Sequence, residues 1–168
     1  MMKRIMLLVY ICVALTMLIA CGQKAETPQA QASAAKTETQ AAAANDAGVK
    51  IIDEILAAFD QCVAQAAALA KDKPEAAVLM PQLEKLYAET GVKMAALNAR
   101  FLALRDQDIF AFGRANGYMT DNRPKHVFNK DTVLSPAYVY YNLEKGEQAV
   151  VDMLSSKICR LLDDAVKQ

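Results

Sequence analysis

Val49-Lys50-Ile51-Ile52-Asp53-Glu54-Ile55-Leu56-Ala57-Ala58-Phe59-Asp60-Gln61-Cys62-Val63 is the stretch whose reading decides the fold. Ile52, Ile55, Leu56, Phe59, Val63, Ala66 and Leu69 recur at spacings of three and four, with Asp53, Glu54, Asp60 and Gln61 between them. That period puts the apolar side chains on one stripe of a helix and the acids and amides on the other. Asn45 or Asp46 is suited to cap its start.

Toward the C-terminus, Lys71-Asp72-Lys73 precedes Pro74, which fits the first turn of another helix. Pro81 either kinks that helix or starts the main one. Leu83, Leu86, Thr90, Met94, Leu97, Phe101 and Leu104 form a second long stripe, which Gly91 weakens by about 1 kcal/mol relative to Ala. The stripe fades near Phe112, and Gly113 and Gly117 fit a helix end. Residues 113–135 then read as a long irregular connection, and Ser135-Pro136 as a restart with cap and first-turn proline. Tyr138, Tyr141, Leu143, Val150, Val151, Leu154, Ile158, Leu161, Leu162 and Ala165 make the last apolar face, which Gly146 breaks or bends. Period-two alternation is almost absent. The expectation is an all-α domain over residues 49–168, an antiparallel bundle of three to four long helices with one disulfide.

Toward the N-terminus, residues 22–48 are mostly Ala, Gln, Thr, Lys, Glu and Ser, with no large apolar side chain. Such composition buries too little surface to offset its ordering entropy, so residues 21–48 are expected to be a disordered tether. Before it, Lys3 and Arg4 lead into an apolar segment, Ile5 to Ala20, which at about 16 residues is shorter than the roughly 20 a spanning helix needs. It ends in Leu18-Ile19-Ala20-Cys21. This start resembles the signal peptide and lipobox of bacterial lipoprotein precursors, a resemblance confined to the leader and Gly22. It implies removal of residues 1–20, a diacylglyceryl group on the Cys21 thiol and a further acyl chain on its amine. Two or three chains anchor stably where one is marginal. In Gram-negative lipoproteins an Asp after the lipidated Cys retains the protein in the inner membrane. Gly22 at that position implies the outer membrane, with the domain facing the periplasm or the cell surface.

Removing Lys3 and Arg4 with the leader takes the basic count from 19 to 17 against 19 acidic side chains, a formal charge of −2. A basic face for nucleic acid is not expected. Cys12 leaves with the leader and Cys21 carries lipid, so Cys62 and Cys159 remain as an even pair in an oxidising compartment. A Cys62–Cys159 disulfide tying the first long helix to the last is expected; the alternative is two separate buried thiols.

Chemistry-bearing residues are few. His126 is the single histidine, too little for the usual His/Cys metal site or for a nucleophile system without the right neighbours. Met80, Met94, Met119 and Met153 read as core filler or loop residues rather than haem ligands, and there is no C-x-x-C-H attachment site. Asp53-Glu54, Asp106 with Asp108, and Asp163-Asp164 are adjacent pairs that diverge on a helix instead of facing one cleft. No phosphate-cradling glycine loop appears. No catalytic residue, metal or cofactor is therefore expected. The segment 113–135 is the candidate contact region, with Arg114, Tyr118, Arg123, Lys125, His126 and Phe128 as candidate partner-binding residues; its bland alternative is a mobile cover over the bundle end. The expected function is a membrane-anchored, non-catalytic module that binds a protein of the cell envelope, as an assembly accessory, inhibitor or immunity protein. The alternative is a carrier of a small apolar ligand such as lipid, haem or a cell-wall fragment. Stripes such as Leu83 to Leu104 also leave a homodimer open.

Overall fold

A computed structural model describes residues 28–166, with side chains described from residue 47. The leader, Cys21 and residues 22–27 lie outside the described residues. The chain divides into two compact units, Met1–Thr39 and Gln40–Gln168; the described part of the first, residues 28–39, is helical. Everything below concerns the second.

The described chain is all-helical, with no strand among the described residues. Helix α1 is Pro28–Ala70, α2 is Ala76–Gln107 and α3 is Ile109–Val139. A π-helical turn, Tyr140–Glu144, leads to Gly146, whose positive φ of 67° bends the chain. A final helical stretch follows, in which α4 (Gln148–Asp152) passes through a second π-helical turn (Met153–Lys157) into α5 (Ile158–Asp164). Among the described residues no helix is long and apolar enough to cross a membrane.

The three stripes read from the sequence make one hydrophobic core. Ile52, Ile55, Phe59 and Val63 of α1 meet Leu79, Leu83, Met94 and Phe101 of α2, and Val150, Leu154, Ile158 and Leu162 of the final stretch, all essentially without exposure. Each fully buried side chain of this size contributes about 1.5–3 kcal/mol relative to remaining exposed. Two tyrosines extend the core into hydrogen bonding. The Tyr87 hydroxyl donates to the Met153 carbonyl at 3.0 Å, and the Tyr141 hydroxyl donates to the Pro74 carbonyl at 2.6 Å.

Several expectations are corrected. α1 begins at Pro28, so residues 28–48 are helical instead of forming a tether, and neither Asn45 nor Asp46 caps a start. Ala, Gln, Lys and Glu rank among the best helix formers, and extending a helix nucleated at residues 49–70 is far cheaper than starting one. α2 begins after Glu75 and carries Pro81 in its interior. It ends at Gln107, before the expected end near Phe112, because Asp108 takes an extended conformation (φ −151°, ψ 95°) and caps α3. The connection expected over residues 113–135 does not exist. Those residues lie within α3, a continuous 31-residue helix containing Pro124 and Pro136, so Ser135-Pro136 restarts nothing.

The Cys62–Cys159 disulfide is not formed. Both are free thiols, Cys62 buried and Cys159 half-buried. Cys62 sits in the apolar row of α1, and burial pushes its thiol pKa up, with a hydrogen bond from Thr90 acting the other way. Tyr87 of α2 stands beside both thiols; burial first, and then the two sulfurs, push its phenol above the ordinary range.

At Gly48 α1 comes close to both α2 and α3. A Cβ there would meet Leu104 Cδ2 at 2.8 Å and Ala115 Cβ at 3.0 Å, whereas a Cβ on Gly117 of α3 would meet nothing within 4 Å. Gly48→Ala should lower the urea midpoint, because overpacking costs about 1–3 kcal/mol against about 1 kcal/mol of helix propensity gained. Gly117→Ala should raise the midpoint by that propensity alone. In the processed chain, denaturing non-reducing thiol titration should find two thiols from Cys62 and Cys159. Under native conditions Cys159 should react first; finding no thiols in denaturant would reinstate the bridge.

Candidate functional site

The candidate residues sit on α3, and their geometry begins at Asp108. Its carboxylate Oδ1 accepts from the backbone N–H of Phe110 at 3.0 Å and of Ala111 at 2.9 Å, satisfying two donors that a helix start leaves open. α3 then packs through Ala111, Phe112, Ala115, Met119, Lys130 and Leu134. Phe112 stacks on Phe101 of α2 with ring centroids 4.6 Å apart.

At the edges of that buried row, polar links fix α3 to its neighbours. The Tyr118 hydroxyl donates to Asp53 Oδ1 of α1 at 2.8 Å, and His126 Nδ1 lies 2.8 Å from Asp60 Oδ2, also on α1. The two links join residues 65 and 66 positions apart, so α1 and α3 run parallel in constant register. α2 runs the other way: stepping forward along α1 from Gly48 to Glu54 moves the contact backward along α2 from Leu104 to Arg100. Arg100 Nη1 lies 2.7 Å from Glu54 Oε2. Arg123 pairs with Asp163 of α5.

Of the six sequence candidates, Tyr118, Arg123 and His126 therefore turn toward this molecule's own acids. The bond to Asp53 holds the Tyr118 phenol above its ordinary pKa. Lys125 reaches only Asn122 of the same helix, Nζ to Oδ1 at 3.0 Å. Arg114 is exposed on the outer side, and Phe128 leaves 73 % of its surface in solvent. The structure thus splits the set into an inward half that locks helices and an outward half that faces solvent.

The outward half gains a member that the sequence reading missed. Phe110 is 76 % exposed. It lies 18 positions before Phe128, which is five turns of 3.6 residues, so both rings leave α3 in the same direction about 27 Å apart. Between them the stripe runs over Gly113, Gly117, Asp121 and Pro124, all exposed. The 18-residue spacing was visible in the sequence, but it carries meaning only once residues 109–139 are one helix.

Among the described residues no three His, Cys, Asp or Glu side chains converge as metal ligands. Ser155 gives its hydroxyl proton to the Val151 carbonyl at 2.7 Å, an ordinary helix back-bond. No family model matches the chain, and neither a curated protein nor a solved structure matches it.

If the inward half acts within the fold, Arg123→Ala and His126→Ala should each lower stability by about 0.2–1 kcal/mol, the usual range for part-exposed pairs. Neither should change capture of a partner. Chemical denaturation alongside a binding assay separates the two roles; lost binding at unchanged stability would return these residues to the contact surface.

Proposed function

We propose that this chain is a lipid-anchored protein of the bacterial cell envelope whose helical domain, an antiparallel bundle of three to four helices, binds another protein without catalysing a reaction. Support for the anchor comes from Lys3-Arg4, the apolar segment and Leu18-Ile19-Ala20-Cys21, which together fit export, cleavage before Cys21 and acylation of its thiol and amine. Gly22 favours the outer membrane. Roles of this kind include assembly accessory, inhibitor and immunity protein.

The observation that carries the binding reading is the pair Phe110 and Phe128, exposed on one side of α3. Single exposed apolar residues are common on any protein and mean little. Two large aromatics in line on one helix, with Arg114 one turn after the first, match the aromatic and arginine enrichment of protein interfaces. Burying each ring in a partner contributes about 1.5–3 kcal/mol. Arg114 and Lys125 favour a partner with acidic groups around an apolar strip.

The carrier reading has its own support. A groove of about 340 Å³ is lined by Ala67, Ala68, Ala70, Val133, Pro136 and Ala137, with Lys71 and Lys73 at its edge. That is within the lower range of small-molecule pockets, and its apolar wall beside two cations suits an anionic amphiphile.

Protein gently extracted from its own membranes and weighed intact should begin at Cys21 and carry two or three acyl chains. An envelope protein should co-purify at fixed stoichiometry. It should be lost from the Phe110→Ala, Phe128→Ala double variant, whose helicity should be unchanged because both rings are exposed. A chain that arrives alone with a reproducible small bound mass would favour the carrier.

A further inference from the structure

Lys130 is the one buried charged residue among the described residues, 4 % exposed. Burying an ammonium is costly unless it is paired and hydrogen-bonded. Its ion-pair partner is Asp131, Nζ to Oδ1, and that carboxylate's side chain is itself 63 % exposed. Successive residues leave a helix about 100° apart, so Asp131 reaches the ammonium only by folding back across the helix surface. A buried cation whose counter-ion is solvent-exposed is a pairing that another anion can replace.

Lys130 also lines a cavity. The space is about 180 Å³, lies between α3 and the π-helical turn Met153–Lys157, and has Leu134 and Leu154 as apolar walls with Asp131, Ser135, Tyr138 and Ser155 completing it. The turn itself is unusual. Ile158 donates its N–H to the Met153 carbonyl, five residues back, and the same oxygen accepts from Tyr87. Such single π-turns occur frequently at functional sites. Here the insertion sits where Leu154 and Ser155 line the space opposite Lys130.

We infer that this cavity binds a small aliphatic carboxylate. The ligand's carboxylate takes the place of Asp131 on the Lys130 ammonium, and its short carbon stem lies against Leu134 and Leu154. An ammonium has three donors and no acceptor, so it selects an anion. The two leucine walls select an aliphatic stem over inorganic phosphate or a bare halide. This site is separate from the outer face of α3 that carries Phe110 and Phe128, and it stands whether or not that face binds a protein.

The same group occurs on a free short-chain acid and at the C-terminus of a peptide, so two probes distinguish the sources. Sodium propionate and N-acetyl-alanyl-alanine are titrated into the full processed chain and followed by amide proton–nitrogen NMR, with sodium chloride at matched ionic strength as the control. Propionate should give saturable shifts confined to residues around 130–138 and 153–155, in the millimolar range, while chloride gives none. Saturation by the acetylated dipeptide as well assigns the site to a pendant carboxylate, and saturation by propionate alone assigns it to a free acid. Asp131→Asn removes the competing carboxylate and should tighten propionate binding several-fold. The asparagine amide oxygen can still accept from the ammonium, and the ligand-free amide spectrum of the variant should overlay that of the parent chain away from residue 131. Lys130→Met keeps the stem and should abolish the response. Equal or weaker binding to Asp131→Asn, saturation retained in Lys130→Met, or equal shifts with chloride would each overturn the assignment.

Discussion

The single extended residue Asp108 sets the arrangement of everything after it. Two long helices meet there with no loop between them, and reversing the chain in one residue leaves the start of α3 short of hydrogen-bond acceptors. One carboxylate oxygen accepts from both Phe110 and Ala111, and so the reversal holds. From that point α3 must run antiparallel to α2 and parallel to α1. Gly48 then faces Ala115, Tyr118 faces Asp53 and His126 faces Asp60 in unbroken order. A slip of one residue at Asp108 would move every one of these partners about 100° around the helix.

Forces of two sizes act along this interface. The apolar side chains of α1, α2 and the final helical stretch supply most of the free energy, at about 1.5–3 kcal/mol for each large one. The links through Glu54, Asp53, Asp60 and Asp163 are partly exposed and belong to the class worth about 0.2–1 kcal/mol each. Their value is in selecting a register. An alanine-rich row such as Ala111 and Ala115 slides easily along a neighbouring helix, and charged partners at fixed intervals make one position better than the next.

The sequence was readable where large apolar side chains recur. The rows Ile52–Val63, Leu83–Leu104 and Val150–Leu162 are the rows that form the core, and Gly146 does bend the chain. Reading failed at α3 for a physical reason. Its inner face holds Phe112, Met119 and Leu134 far apart, with Ala111, Ala115, His126 and Lys130 among them, so no large apolar side chain recurs every three or four residues. Its outer face holds Gly113, Gly117 and Pro124, which count as helix breakers when local propensity is summed. Tertiary contacts outweigh that sum. The same reading could not place Tyr118, Arg123 and His126, because an unstructured segment gives no reason to suppose that they meet acids 40 to 66 positions away. The cysteines failed differently: an even count suggests a bridge, but counting says nothing of where the two thiols lie.

The make-up of α3 also decides which part of the molecule yields first. Two glycines and two interior prolines lower its intrinsic helicity, and it anchors fewer large apolar side chains than α2 does. Amide protons along its middle should therefore exchange through openings that cost less than unfolding the core. A surface on such an element can adjust to the shape of whatever docks there. Part of the docking free energy then goes into stiffening the helix, which trades affinity for breadth of recognition.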